Sequence, residues 1–126
     1  MDEADRSLLQ RAIDLSRQAA PDEGTTPFGA VVLLDGVIVG EGTSQVVRLI
    51  DPTARAEVMA PRAASTALGR HLITGAIMYC SSEPCPMCLA ACCWARIFRV
   101  VYAATSHDVA TYGFEDLQPD SGVRAR

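Results

Sequence analysis

Two short, almost continuously apolar runs constrain the fold of this chain more than any other feature. They are Ala76-Ile77-Met78-Tyr79-Cys80-Ser81 and Ile97-Phe98-Arg99-Val100-Val101-Tyr102. Short apolar runs rich in β-branched and aromatic residues predict strands of a sheet covered on both faces. The strands span 76–81 and 97–104, and residues 86–96 between them read as a helix. Upstream, residues 4–20 carry apolar side chains at Leu8/Leu9, Ala12/Ile13, Leu15 and Ala19/Ala20, which is helical spacing with Asp and Arg on the other face. Pro21 through Pro27 is a loop rich in Gly and Thr. Phe28–Leu34 and Val37–Gly40 flank Asp35-Gly36, a strong turn signal, and together predict a hairpin. Residues 54–69 read as a further helix. The order α-β-β-α-β-α-β predicts an α/β fold, a three-layer α/β/α sandwich with a mixed β-sheet.

One proline complicates the helix over 54–69. Pro61 removes a backbone hydrogen bond and clashes with the carbonyl of Glu57, at a cost of around 3 kcal/mol or more. Either the turn carrying Glu57 is kinked, or the helix begins later and the segment before it is a loop.

Composition narrows the function classes. At 126 residues the chain reads as a single domain over 1–126 with one core, residues 117–126 being a flexible tail. No apolar run reaches about 18 residues, and the acidic start lacks the marks of a secretory signal. The chain therefore reads as cytoplasmic, with no membrane partner. The formal net charge is -4, and every basic residue is an Arg. The arginines are scattered, where a protein gripping a phosphate backbone shows a basic stripe, so nucleic acid is not the expected partner. Five cysteines in a reducing compartment argue against a disulfide framework. Cys80, Cys92 and Cys93 read as small buried hydrophobes.

Two segments carry chemistry: Asp51-Pro52-Thr53-Ala54-Arg55-Ala56-Glu57 and Glu83-Pro84-Cys85-Pro86-Met87-Cys88. Both fall where a loop enters a helix. Cys85 suits the N-cap and Pro86 the first helical position, which puts Cys85 and Cys88 on one side of the first turn. The helix N-terminus stabilises thiolates, and two such thiolates make half of a tetrahedral zinc site. In the zinc deaminase signature, H-x-E followed by P-C-x-x-C, one His and two Cys hold the metal and the Glu moves protons. Here Glu57 is the candidate proton shuttle, Cys85 and Cys88 are candidate ligands, and Arg55 occupies the His position. Separately, a Cys-x-x-Cys pair or an Ala-Glu pair carries little; their co-occurrence is far more specific.

These segments, with Pro27-Phe28-Gly29-Ala30-Val31-Val32 and Trp94-Ala95-Arg96, resemble the cytidine deaminase-like superfamily, in its bacterial guanine deaminase and tRNA adenosine deaminase branch. Cys93-Trp94-Ala95-Arg96 and Gly113-Phe114-Glu115-Asp116 are more similar to guanine deaminase. The resemblance implies a zinc cofactor, a homodimer and a small nucleobase or nucleoside as substrate. It places Phe28, Ser44, Ala56, Trp94 and Asp116 as substrate-binding positions, Phe28 and Trp94 lining the base pocket.

Arg55 departs from that pattern. A guanidinium has no free lone pair and a pKa above 12, so it cannot replace an imidazole as a ligand. At ~4 Å and an effective dielectric of ~20, each unit of metal charge repels it by on the order of 4 kcal/mol. Even a side chain swung outward to pair with a carboxylate leaves a ligand missing, which water or Glu57 would have to supply. Ser44 is a second departure: it stands where the branch carries a substrate-binding Asn, and offers one hydroxyl for an amide. Three functions follow: a zinc-dependent hydrolytic deaminase of guanine deaminase type, a deaminase-like protein without catalysis that acts by binding or oligomerisation, or a tRNA adenosine deaminase.

Overall fold

The computed structural model describes residues 1–19 and 26–105. Its elements run α1 (Glu3–Ala19), β1 (Thr26–Leu34), β2 (Val37–Ser44), α2 (Val46–Leu49), α3 (Ala56–Leu68), β3 (Ile77–Ser82), α4 (Pro86–Ala95) and β4 (Arg99–Ala104). The expected order is recovered, with the single turn of α2 added. The four strands form one sheet in the order β2-β1-β3-β4. β1 is antiparallel to both β2 and β3, and β3 is parallel to β4, so the sheet is mixed.

Asp35 and Gly36 close the β1–β2 hairpin with φ of 51 and 77, the positive values that a type I′ turn requires at both central residues. The register shifts between Val32 and Leu33, opposite Gly40 and Ile38, so the hairpin contains a bulge. The last strand begins at Arg99, later than its apolar run suggests. Arg96 caps α4 in the left-handed region (φ 64), and the amide of Ile97 donates back to the carbonyl of Cys92 at 3.0 Å. These residues finish the helix before the strand begins.

Two cores lie on opposite faces of the sheet. On one face Leu9, Ala12 and Leu15 of α1 pack on Val31, Tyr79 and Val101. On the other, Ala56, Ala60 and Ala64 of α3 and Cys92 and Ala95 of α4 pack on Phe28, Ala30, Val32, Met78 and Cys80. This is the three-layer α/β/α sandwich. β3 is buried on both sides as its composition predicts, whereas β4 is half exposed among the described residues.

Small residues set how closely α3 approaches the sheet. Its alanines recur every fourth residue and face Gly40 and Gly42 of β2. A Cβ on Gly40 would meet the Ala60 carbonyl oxygen at 2.4 Å, and one on Gly42 the Ala60 nitrogen at 2.6 Å. The start of α3 is thereby held against the end of β2. Pro61 does not move that start: the helix runs from Ala56 through Leu68 with Pro61 inside it. A loop at the Glu57 segment is therefore corrected by the structure. No helix among the described residues is long and apolar enough to cross a membrane.

Candidate active site

The site is built from two helix N-termini on one face of the sheet. Asp51 folds the approach to α3: its Oδ1 accepts the Thr53 amide at 2.9 Å and the Thr53 hydroxyl at 2.7 Å. The Gln45 amide donates to the Ala54 carbonyl at 2.7 Å, bringing the end of β2 and Ser44 alongside this segment. Arg55 is the N-cap of α3 in an extended conformation (φ -73, ψ 155). Ala56 and Glu57 are the first two helical residues, both fully buried.

Cys85 holds the same place on α4, an extended N-cap (φ -70, ψ 168) followed by Pro86. Cys88 lies one turn on. The two sulfur atoms are 3.4 Å apart, and the Cys88 thiol is 3.6 Å from Glu57 Oε2. The three residues singled out from the two sequence segments therefore meet, although they come from different helices.

Glu57 is held in an unusual state. It is 0% exposed, and its Oε1 has no hydrogen-bond partner among the described residues. Burial pushes its carboxyl above the ordinary carboxylate range, while its own backbone amide, the Arg55 charge and Cys88 pull it back down. A buried carboxyl with raised proton affinity and an unused oxygen is suited to hold and pass on a proton. The Cys85 sulfur and burial push the Cys88 thiol up strongly. Ser44 Oγ is likewise buried and without a partner among the described residues.

Arg55 is half-buried, and its guanidinium lies 5.4 Å from the centroid of the Phe28 ring. The contact is a cation–π approach to a ring that is itself largely buried. Nothing in the sequence signals this pairing, since Arg55 and Phe28 belong to separate elements.

A catalytic zinc centre needs three protein ligands and one open position. Two thiols are present, but the third position holds Arg55. Among the described residues no group of three or more His, Cys, Asp or Glu side chains is arranged to hold a metal ion. These residues do not fit such a centre.

The remaining expected positions divide. Phe28 and Ala56 lie in the core beside the site. Trp94 is 79% exposed near the C-terminal end of α4, while Cys88, Cys92 and Ala95 form the buried stripe of that helix. Cys80 and Cys92 are buried as expected, but Cys93 is exposed. It follows Cys92 by about 100° around the helix, which turns it off the buried stripe. Asp116, Gly113, Phe114, Glu115 and the segment 117–126 lie outside the described residues.

Comparison with known proteins settles the family. The family model of the cytidine and deoxycytidylate deaminase zinc-binding region matches residues 2–104. The chain belongs to this family. It is 46% identical over 110 residues to the guanine deaminase of Bacillus subtilis, covering 87% of this chain and 70% of that one. The crystal structure of Bacillus subtilis guanine deaminase superposes with a TM-score of 0.86 at 44% identity, covering 92% of this chain and 73% of that one. A tRNA-specific adenosine deaminase of Agrobacterium fabrum is 37% identical, over 80% of this chain and 66% of its own length. A further structure, solved in complex with 8-azaguanine, superposes with a TM-score of 0.84 at 28% identity, covering 96% of this chain and 72% of that one.

Proposed function

We propose that this protein is a nucleobase deaminase acting on a purine of the guanine class, with turnover held low by Arg55. The observation that carries the reading is Glu57, a fully buried carboxyl with one unused oxygen beside Cys88, in a chain this similar to a guanine deaminase. Hydrolytic deamination adds water to the ring carbon bearing the amine and expels ammonia, leaving a carbonyl. Protons must leave the water and reach the ring nitrogen and the departing amine. Glu57 is the group placed to carry them. Ser44 Oγ, also buried and unused, is the hydrogen-bonding group for the base edge. Phe28 is its stacking surface once the Arg55 guanidinium moves aside.

The free base is preferred over tRNA on the higher identity to the guanine enzyme and on the acidic balance of the chain. The solved complex of a relative with 8-azaguanine supports the same choice. A homodimer is proposed as the functional unit, in which the exposed Leu89 and Trp94 of α4 and Phe98 beyond it would be covered.

A second reading, base binding without turnover, is favoured by one observation: the guanidinium of Arg55 in the third ligand position. The test is ammonia release from a panel of purines and pyrimidines by the wild type, Glu57→Gln and Arg55→His. Slow release from guanine, lost in Glu57→Gln and raised in Arg55→His, is the expected result. Guanine binding without ammonia in the wild type would establish the second reading, and a tRNA shift at low salt with no response to any base would refute both.

A further inference from the structure

We propose that Arg55 takes this site out of zinc chemistry and leaves Cys85 and Cys88 as a dithiol that closes reversibly to an intramolecular disulfide. The inference rests on the location of the site proposed above, and not on its turnover.

Three observations combine. The third ligand position, at the N-cap of α3, is an arginine, which has no lone pair to offer a metal. The described residues offer no alternative group of three donors. The two sulfurs nevertheless remain 3.4 Å apart at the N-cap and in the first turn of α4. A Cys-x-x-Cys pair at a helix start is the arrangement in which thiol–disulfide chemistry takes place. Closing the bridge requires the two sulfurs to approach from 3.4 Å to the bonding distance of about 2.05 Å.

The exposures assign an order to the two residues. Cys85 is 7% exposed and Cys88 is fully buried, so Cys85 meets the oxidant and Cys88 resolves. With hydrogen peroxide as the two-electron oxidant, Cys85 sulfur attacks one oxygen, the O–O bond breaks, and a sulfenic acid and one water form. Cys88 sulfur then attacks Cys85 sulfur and expels the hydroxyl as a second water. The Cys88 proton leaves with that water, and Glu57 Oε2, 3.6 Å from Cys88, is placed to carry it. Two thiols are oxidised, one peroxide is reduced, and a dithiol reductant reverses the reaction.

The test has two arms, both independent of deamination, run in a Cys93→Ser background because Cys93 is the exposed thiol. In the first, protein equilibrated with equimolar zinc and then dialysed is analysed for metal. Far less than one zinc per chain is expected for this background and for Arg55→Gln, and close to one for Arg55→His. The glutamine variant separates a missing ligand from a repelling charge. In the second, stoichiometric peroxide is expected to lower the intact mass by two hydrogen atoms, with a peptide bridging Cys85 and Cys88. Dithiothreitol should restore the mass, and zinc-loaded Arg55→His should resist oxidation.

One tightly held zinc per chain with Arg55 in place overturns the proposal. So does peroxide treatment that yields no Cys85–Cys88 bridge. Ammonia release from guanine without the bridge leaves the base reading standing and sinks the dithiol, and the bridge without ammonia from any base does the reverse.

Discussion

Two buried carboxyl groups lie on opposite faces of the same sheet, and they are treated in opposite ways. On the α1 face, Asp5 is closed on every side. Its Oδ1 accepts the Tyr79 hydroxyl at 2.6 Å and an Arg99 nitrogen at 3.1 Å, and its Oδ2 accepts a second Arg99 nitrogen at 2.8 Å. Arg99 and Tyr79 hold its carboxyl down at about 2. On the α3–α4 face, Glu57 has one oxygen unused and a thiol near the other, and burial pushes its carboxyl up. A satisfied buried ion ties α1 to β3 and β4. An unsatisfied one costs the fold whenever it is charged, and it is suited to exchange a proton. The contrast is the one expected between a scaffold carboxyl and the carboxyl of the proposed site.

The largest expected effect breaks this comparison if it fails. Glu57→Gln should lower deamination by about 10²- to 10⁴-fold, whereas Asp5→Asn should leave the rate at neutral pH close to wild type and lower the melting temperature. Steady-state ammonia release and thermal unfolding of both variants give the answer. A rate loss in Asp5→Asn matching that of Glu57→Gln would mean that the two faces are not functionally separate.

Next in size are the glycines that bring each helix layer onto the sheet. A Cβ on Gly29 would meet the Ala12 carbonyl oxygen at 2.4 Å, on the α1 face; one on Gly42 would meet the Ala60 nitrogen at 2.6 Å, on the α3 face. The clashing atoms are backbone, so a whole helix must shift. Both alanine substitutions should cost about 1–3 kcal/mol of stability in urea unfolding. Gly42→Ala displaces the turn carrying Glu57 and should also reduce activity in the folded protein, which Gly29→Ala should not.

The pH dependence sharpens the contrast through its sign. Asp5 has a folded value of about 2 against an ordinary 3.8. Its contribution to stability is present above the ordinary value and is lost as pH falls through about 2. Glu57 is raised from an ordinary 4.5. Its protonated form favours the fold, fully so below that ordinary value, and the benefit is lost as pH rises through the raised one. Glu57→Gln should therefore gain in melting temperature relative to wild type as pH increases, while Asp5→Asn should lose its deficit toward acid. Melting curves from pH 8 down to about 2 test both slopes, and a Glu57→Gln difference that does not grow with pH would remove the buried-charge account of the site.

Much of this was legible in the sequence, for reasons that differ by region. The two sheet cores follow from local periodicity in α1 and from the continuous apolar character of β3. The pairing of Glu57 with Cys85 and Cys88 was readable because both segments start helices with residues of defined chemistry. What escaped was set by tertiary approach. The late start of β4 depends on the left-handed cap at Arg96, which an apolar run does not reveal. Pro61 left open whether the helix starts before or after the Glu57 segment, and packing of Ala56, Ala60 and Ala64 against glycines goes with the earlier start. The Arg55–Phe28 stack and the unused oxygen of Ser44 depend on neighbours distant in the chain. The Asp5–Tyr79–Arg99 cluster joins three elements, and none of its residues stands out alone.

The smallest effect tests whether geometry or burial gives an ion pair its value. Arg11 grips Glu41 with two nitrogens at 2.7 and 3.0 Å, linking α1 to β2 much as Arg99 grips Asp5. The Arg11 and Glu41 side chains are 41% and 31% exposed, whereas Asp5 is only 6% exposed. Water screens the first pair and leaves both charges solvated when it is broken. Removing the acid from the second leaves the tyrosine hydroxyl and guanidinium without their buried acceptor. Glu41→Gln should therefore cost less than about 1 kcal/mol, with the difference shrinking in high salt, and Asp5→Asn should cost more under the same conditions. Urea unfolding at low and high salt compares them at matched geometry. Equal costs would show that bidentate geometry alone sets the strength, and the distinction between a closed and an open carboxyl would then have to be drawn from chemistry at Glu57 alone.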